Sequence, residues 1–193
     1  THPMEDDYWA SVHFTDSELA ELDIPIFFTD GWYDMTFGPI DYFARLEQVQ
    51  LHREDRYLLV GPWNHYQTYS PNQPGDFDGD RKLPDNGTVD LITQRLAFFD
   101  RYLKNDNNAV VQEDRVSVYI AGAENSNVNV WLNFSTFPVP GTQQKQLYLH
   151  SRGQANNIPS DGVLSDNLPM DEPVDHYLYD PAVPTASTVE ISM

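Results

Sequence analysis

Asp34 and His65 each follow a glycine that closes a short apolar run. Gly31-Trp32-Tyr33-Asp34 comes after Ile24 to Phe28, and Gly61-Pro62-Trp63-Asn64-His65 comes after Tyr57 to Val60. A carboxylate and an imidazole are what a nucleophilic enzyme places beside its nucleophile: the acid holds the ring's orientation and tautomer, and the ring takes the nucleophile's proton. The 31 positions between them match one strand-helix-strand return of about 30 residues. Such a return brings both motifs to the carboxyl-end edge of a parallel sheet, where the reactive groups of such sheets gather. Each residue also has an ordinary explanation. An Asp after a strand often caps the next helix, and an isolated His is commonly a surface or satisfied core residue. Pattern alone leaves these readings side by side.

The elements that would position the pair follow from periodicity. Residues 23–30 form an apolar run with Pro25 tolerated only at its start, which reads as a strand buried on both faces of a parallel sheet. Gly38-Pro39 opens a helix running to about Gln50, with Ile40, Phe43, Leu46 and Val49 at three-residue spacing. Arg56 to Val60 is a second buried strand, stopped by Gly61-Pro62. Residues 65–88 are rich in Pro, Gly, Asn and Asp without a period, the composition of a long surface loop. Beyond it, Val89, Ile92, Leu96, Phe99 and Leu103 mark an amphipathic helix expected to pack this stripe on the sheet. From Val116 onward, alternation replaces helical spacing, in Val116, Val118 and Ile120 and again in Leu147 and Leu149. This places an expected boundary between α/β and all-β near Asn107 to Gln112.

Composition bounds the possibilities. The chain has 193 residues, 40% of them hydrophobic, enough for a real core. No apolar run approaches the ~18 residues of a membrane helix. The absence of cysteine removes disulfides, thiol nucleophiles and thiolate metal sites, and leaves the cellular compartment open. A formal net charge of -19, with lysine only at 82, 104 and 145, argues against nucleic acid and anionic membranes as partners. The acidity fits a saline habitat or an ordinary soluble protein equally.

Five stretches together resemble the CocE/NonD family of serine hydrolases, which act as esterases and acylases and have X-prolyl dipeptidyl peptidases as more distant kin. They are His2-Pro3 with Asp6-Asp7-Tyr8-Trp9, the two motifs ending at Asp34 and His65, Phe98 to Lys104, and Leu147 to Leu149 with Tyr177 to Pro181. The resemblance implies an α/β fold, the C-terminal part of an α/β-hydrolase sheet followed by the beginning of an all-β jelly roll. On that basis residues 1–10 end a helical cap, residues 11–112 belong to the hydrolase core, and residues 113–193 open the jelly roll. It also implies that Asp34 and His65 are the acid and base of a Ser-Asp-His triad, acting on a small-molecule ester or amide through an acyl-enzyme, with no metal or organic cofactor. Trp32, Tyr33 and Trp63 are then candidates to line the substrate pocket. One departure from the family pattern is Ala121-Gly122-Ala123-Glu124-Asn125, with Trp131 displaced.

A nucleophile elbow reads G-x-S-x-G, and none of the ten glycines has a serine two places later. The nucleophile is therefore expected upstream of Thr1, which leaves this chain alone inactive, in need of the missing hydrolase segment and prone to self-association. Three other readings carry less. Thr1 as an N-terminal nucleophile fits poorly with the strand-helix-strand pattern. The stretch Asp76 to Asp80 departs from an EF-hand loop, with Arg81 at the sixth position and Gly87 at the twelfth. A non-catalytic role is the alternative, the jelly-roll part serving as a carbohydrate- or ligand-binding or structural module.

Overall fold

The structure is a computed structural model. It describes residues 6–34, 38–50, 53–65, 67–68, 76–77, 81–82, 85–107, 114–122, 127–157 and 159–182, with the single positions 2, 4, 36 and 111. These fall into two compact units, one within Thr1–Pro140 and the other within Gly141–Ser187.

The first unit is built on a four-stranded sheet in the order β1-β2-β5-β6: β1 Ile26–Gly31, β2 Arg56–Gly61, β5 Val116–Ile120 and β6 Val130–Phe134. Strands β1, β2 and β5 are parallel, and β6 returns antiparallel to β5. The short pair β3 Asp76–Phe77 and β4 Arg81–Lys82 stands apart from this sheet. Between β1 and β2 lies α3 Gly38–Val49, and between β2 and β5 lies α4 Leu91–Leu103.

Alternate residues of β2 explain why its sequence is continuously apolar. Leu58 and Val60 join Phe43 of α3 and Val116 and Val118 of β5 in one cluster. Tyr57 packs with Phe98 of α4 and Val111, while Leu59 packs with Trp63 and with Leu91 of α4. The two sets point to opposite faces, so helices cover the sheet on both sides and every β2 residue is buried.

Two short helices, α1 Asp7–Val12 and α2 Asp16–Glu21, precede the sheet. Asp6 caps α1, accepting from the Tyr8 N–H at 3.0 Å. In α2, Thr15 and Glu18 form a reciprocal capping box. Arg45 of α3 donates to Asp16 and to the Phe14 carbonyl, and Leu19 is buried, which fastens α2 to α3. Inside the unit, Glu47 of α3 is 6% exposed and pairs with Arg115 through contacts of 2.5 and 3.2 Å. Arg115 also donates to the carbonyls of Arg56 and Ser135, and the Thr136 hydroxyl donates to Glu47. One ion pair thereby joins α3, β2 and the β5 and β6 ends.

Two sequence expectations change here. The boundary expected near Asn107 to Gln112 does not end the sheet, because β5 adds to it in parallel beside β2 and the sheet runs on through β6. The division falls between Pro140 and Gly141 instead. The stripe expected to seat α4 faces away: Ile92, Leu96, Phe99 and Leu103 are each at least half exposed, while Leu91 and Phe98 are buried. The helix carries two neighbouring apolar rows, and the one that continues the Phe27–Tyr57 aromatic cluster wins.

The second unit holds an antiparallel pair, β7 Tyr148–His150 with β8 Val163–Ser165. His150 bridges Glu172 at 2.5 Å and the Asn167 carbonyl at 2.7 Å. The hydrogen bond to Glu172, with that to Asn167, raises the imidazole's pKa above its ordinary value. The Ser151 hydroxyl and the Ala155 N–H both bond Asp175, so the irregular segment after β8 is held to the strand pair by side-chain contacts.

Removing one partner of a buried ion pair leaves the other charged and uncompensated. Glu47→Ala is expected to lower the unfolding free energy in urea by about 3 kcal/mol; a loss below about 1 kcal/mol would show that the pair does not secure α3.

Candidate functional site

The site forms where β1 and β2 end, because those ends are in register: Gly31 pairs with Gly61. Both glycines are forced by the approach of Trp63. A Cβ on Gly31 would lie 2.1 Å from the Trp63 carbonyl oxygen, and one on Gly61 would lie 2.3 Å from the Trp63 ring. Only residues lacking that atom let the chain after β2 fold back over both strand ends. The fold-back is hydrogen-bonded, with the Trp32 N–H donating to Gly61 O at 2.9 Å and the Tyr33 N–H to Trp63 O at 3.1 Å. The Asp34 N–H then closes a tight turn onto Gly31 O at 2.9 Å.

This geometry brings the two candidate catalytic groups together. His65 Nδ1 lies 3.0 Å from Asp34 Oδ2 and 3.2 Å from Oδ1. The Asp34 side chain is 5% exposed and the His65 ring 42%. With Nδ1 donating to the carboxylate, a neutral ring carries its lone pair on Nε2, the tautomer a general base requires. Asp34 Oδ1 also accepts from the Thr36 N–H at 3.0 Å and the Thr36 hydroxyl at 2.9 Å. Asp34 thus closes a local turn with Thr36, which lies before α3, while it holds the imidazole.

Burial pushes the Asp34 carboxyl up, but hydrogen bonds from His65 and Thr36 and the charge of His65 outweigh it and hold its pKa below the ordinary carboxylate value. Asp34 is therefore a carboxylate near neutrality. Behind it stands Asp30, 1% exposed at the end of β1, accepting from the Gly31 N–H at 2.8 Å. Its Oδ2 has no partner among the described residues. Burial, with the nearby Asp34 charge, raises its pKa.

The His65 turn is closed by reciprocal bonds. The Asn64 N–H donates to Gln67 Oε1 at 2.9 Å, and the Gln67 N–H donates to Asn64 Oδ1 at 3.1 Å. The Thr68 hydroxyl donates to His65 O at 2.6 Å.

The three aromatic candidates separate. Trp32 and Tyr33 are 37% and 41% exposed beside the acid, with the Trp32 indole N–H bonded to Tyr119 O at 2.6 Å. Trp63 is 2% exposed, donates to Gly87 O at 3.0 Å and packs on Trp131, so it is a core side chain and not a pocket wall. Trp131 is part of the same packing, its indole N–H reaching Asn86 O at 2.7 Å.

Thr36, Thr68 and Asp30 were not legible as site residues. The one local signal was a carboxylate, Asp30, next to the last residue of a mostly apolar strand. Thr1, residues 78–80 of the acidic stretch, and Ala123 to Asn125 lie outside the described residues. Among the described residues no three His, Asp or Glu side chains are placed to share a metal ion, and no helix is long and apolar enough to cross a membrane.

The X-Pro dipeptidyl-peptidase (S15) family profile matches residues 1–67, which include both Asp34 and His65. Cocaine esterase from Rhodococcus sp. (strain MB1 Bresler) is 31% identical over 189 residues, covering 96% of this chain. The chain belongs to the CocE/NonD hydrolase family. It spans 30% of the length of that esterase. Solved structures of similar fold include an aminopeptidase from a marine sediment Thaumarchaeota archaeon, with a TM-score of 0.56 and 24% identity over 88% of this chain and 26% of that one. A CocE/NonD family hydrolase from Staphylococcus aureus has a TM-score of 0.53 and 20% identity over 77% of this chain and 23% of that one. Mixed α/β architecture is thus common to this CocE/NonD chain and its structural neighbours.

The lowered Asp34 pKa has a signed consequence. A carboxyl whose folded-state pKa is depressed stabilises the fold fully above its unfolded value, about 3.9, and that stabilisation is lost as pH falls through the folded value. The difference in unfolding free energy between the natural chain and Asp34→Asn is expected to shrink steadily as pH is lowered below about 4. A gap independent of pH would contradict the assignment.

Proposed function

We propose that this chain supplies the acid and base of a Ser-His-Asp hydrolase. The observation that carries the reading is the buried Asp34 carboxylate bonded to Nδ1 of a His65 ring whose side chain is partly open to solvent. His65 takes the proton of a serine hydroxyl as that oxygen attacks an ester or amide carbonyl. The resulting imidazolium is stabilised by Asp34 and gives its proton to the leaving group. Water, deprotonated by the same nitrogen, then hydrolyses the acyl-enzyme. No nucleophile elbow occurs in the sequence, so the serine comes from polypeptide outside these 193 residues, and the chain alone is inactive.

The substrate is a small-molecule ester or amide. Trp32 and Tyr33, partly exposed beside Asp34, offer it an aromatic surface. Residues up to Pro140 form the C-terminal part of the hydrolase core, and the β7–β8 pair begins an all-β jelly roll. The exposure of Leu149, Leu164 and Leu178, at 82%, 62% and 90%, supports a sheet whose apolar face is completed by further strands.

In a catalytically complete polypeptide carrying this chain, Asp34→Asn and His65→Ala are each expected to lower ester turnover by about 10⁴-fold while each variant still folds, giving a single cooperative urea transition. Turnover within about tenfold of the natural protein in either variant removes that residue from the triad.

A further inference from the structure

Arg95 lies in the middle of α4, on the row between the buried Leu91 and Phe98, and is itself partly buried. Its guanidinium reaches across the sheet's end to two neutral groups. Nη2 donates to the Thr68 carbonyl at 2.6 Å and to the Thr29 hydroxyl at 3.3 Å. Thr29 belongs to β1, two residues before the glycine that ends it, so it sits on the strand that delivers Asp34. Thr68 belongs to the turn that delivers His65, and its hydroxyl bonds His65 O at 2.6 Å. A single nitrogen therefore touches both chain segments whose relative position sets the imidazole–carboxylate distance.

The His65 turn needs such a tie. Its internal bonds, between Asn64 and Gln67 and from Thr68 N to Asn64 O, hold its shape without fixing its place on the sheet. Its start is anchored by the buried Trp63. Its far end is met by Arg95, and a charged donor on a carbonyl in a part-buried setting makes a strong bond. We infer that Arg95 is a positioning residue for His65, acting through Thr68 to hold the imidazole at bonding distance from Asp34. The inference rests on the triad reading and adds to it a residue three elements away in sequence that touches neither substrate nor the reacting atoms.

The His65 Nδ1 proton, observed by NMR in the 193-residue chain and identified by its loss in His65→Ala, gives a test that does not need activity. In Arg95→Met this proton is expected to exchange with water at least about fivefold faster than in the natural chain, the change in opening equilibrium expected from loss of the Thr68 carbonyl bond alone. Arg95→Lys, which keeps a donor for Thr68 O, restores part of the protection. Thr68→Val removes the second link at nearly constant volume and is expected to act like Arg95→Met, which keeps the test valid should the methionine variant fail to fold. In the catalytically complete polypeptide, Arg95→Met lowers kcat by about tenfold or more with KM within about twofold. Natural exchange rates in Arg95→Met or Thr68→Val, or an unchanged kcat, overturn the inference and leave the triad standing. Absence of a protected Nδ1 proton from the natural chain overturns both.

Discussion

Trp63 lies where β1 and β2 end, and its approach to both strands is the contact on which the site depends. Its carbonyl oxygen occupies the space a side chain at residue 31 would need, and its ring occupies the space beside residue 61. The in-register pairing of Gly31 with Gly61 follows from this constraint as much as from the strands' hydrogen bonds. Once the backbone is folded back in this way, Tyr33 bonds the Trp63 carbonyl and Asp34 closes its turn on Gly31. The carboxylate and the imidazole meet because each is counted a fixed number of residues from a glycine held under one tryptophan.

Electrostatics then divides two carboxylates that stand close together. Asp34 receives bonds from Thr36 and His65 that favour its charge over the cost of burial. Asp30, more deeply buried and with one oxygen unpartnered, is driven toward its neutral form. The neighbouring negative charge of Asp34 contributes to that shift, so the two groups are pushed apart in acidity by their surroundings. An anion held beside the imidazole is what an imidazolium formed during catalysis requires.

The β2 and α3 elements were legible because a strand buried on both faces is apolar throughout and a helix on its face repeats every three to four residues. β1 was legible from a similar apolar run, but it is the edge strand of the described sheet and Ile26 to Thr29 are only partly buried, not buried on both faces as expected. Asp34 and His65 were legible because their motifs follow directly. The membership of β5 in the same sheet was not. Ser117 and Tyr119 interrupt its apolar residues and suggest a half-solvated strand, yet both are buried, with the Ser117 hydroxyl on Asn133 Oδ1 and the Tyr119 hydroxyl on Asn86 Oδ1. Polar partners 16 and 33 residues away leave no local periodicity to read. The same distance hid the role of Trp63, whose motif position suggested a pocket wall, while its true acceptor, the Gly87 carbonyl, stands 24 residues further on. For α4, two adjacent apolar rows made the buried face a matter of which aromatic cluster it joined.

A fluorophosphonate, which forms a covalent adduct with activated serines, tests the central claim most directly when applied both to these 193 residues and to a longer polypeptide that includes them. Intact mass and peptide mapping locate the adduct. The account predicts no adduct on the 193-residue chain, and on the longer polypeptide one adduct upstream of Thr1 that is lost when His65 is replaced by alanine. An adduct on a serine within residues 1–193, or labelling upstream that is indifferent to His65, would contradict it.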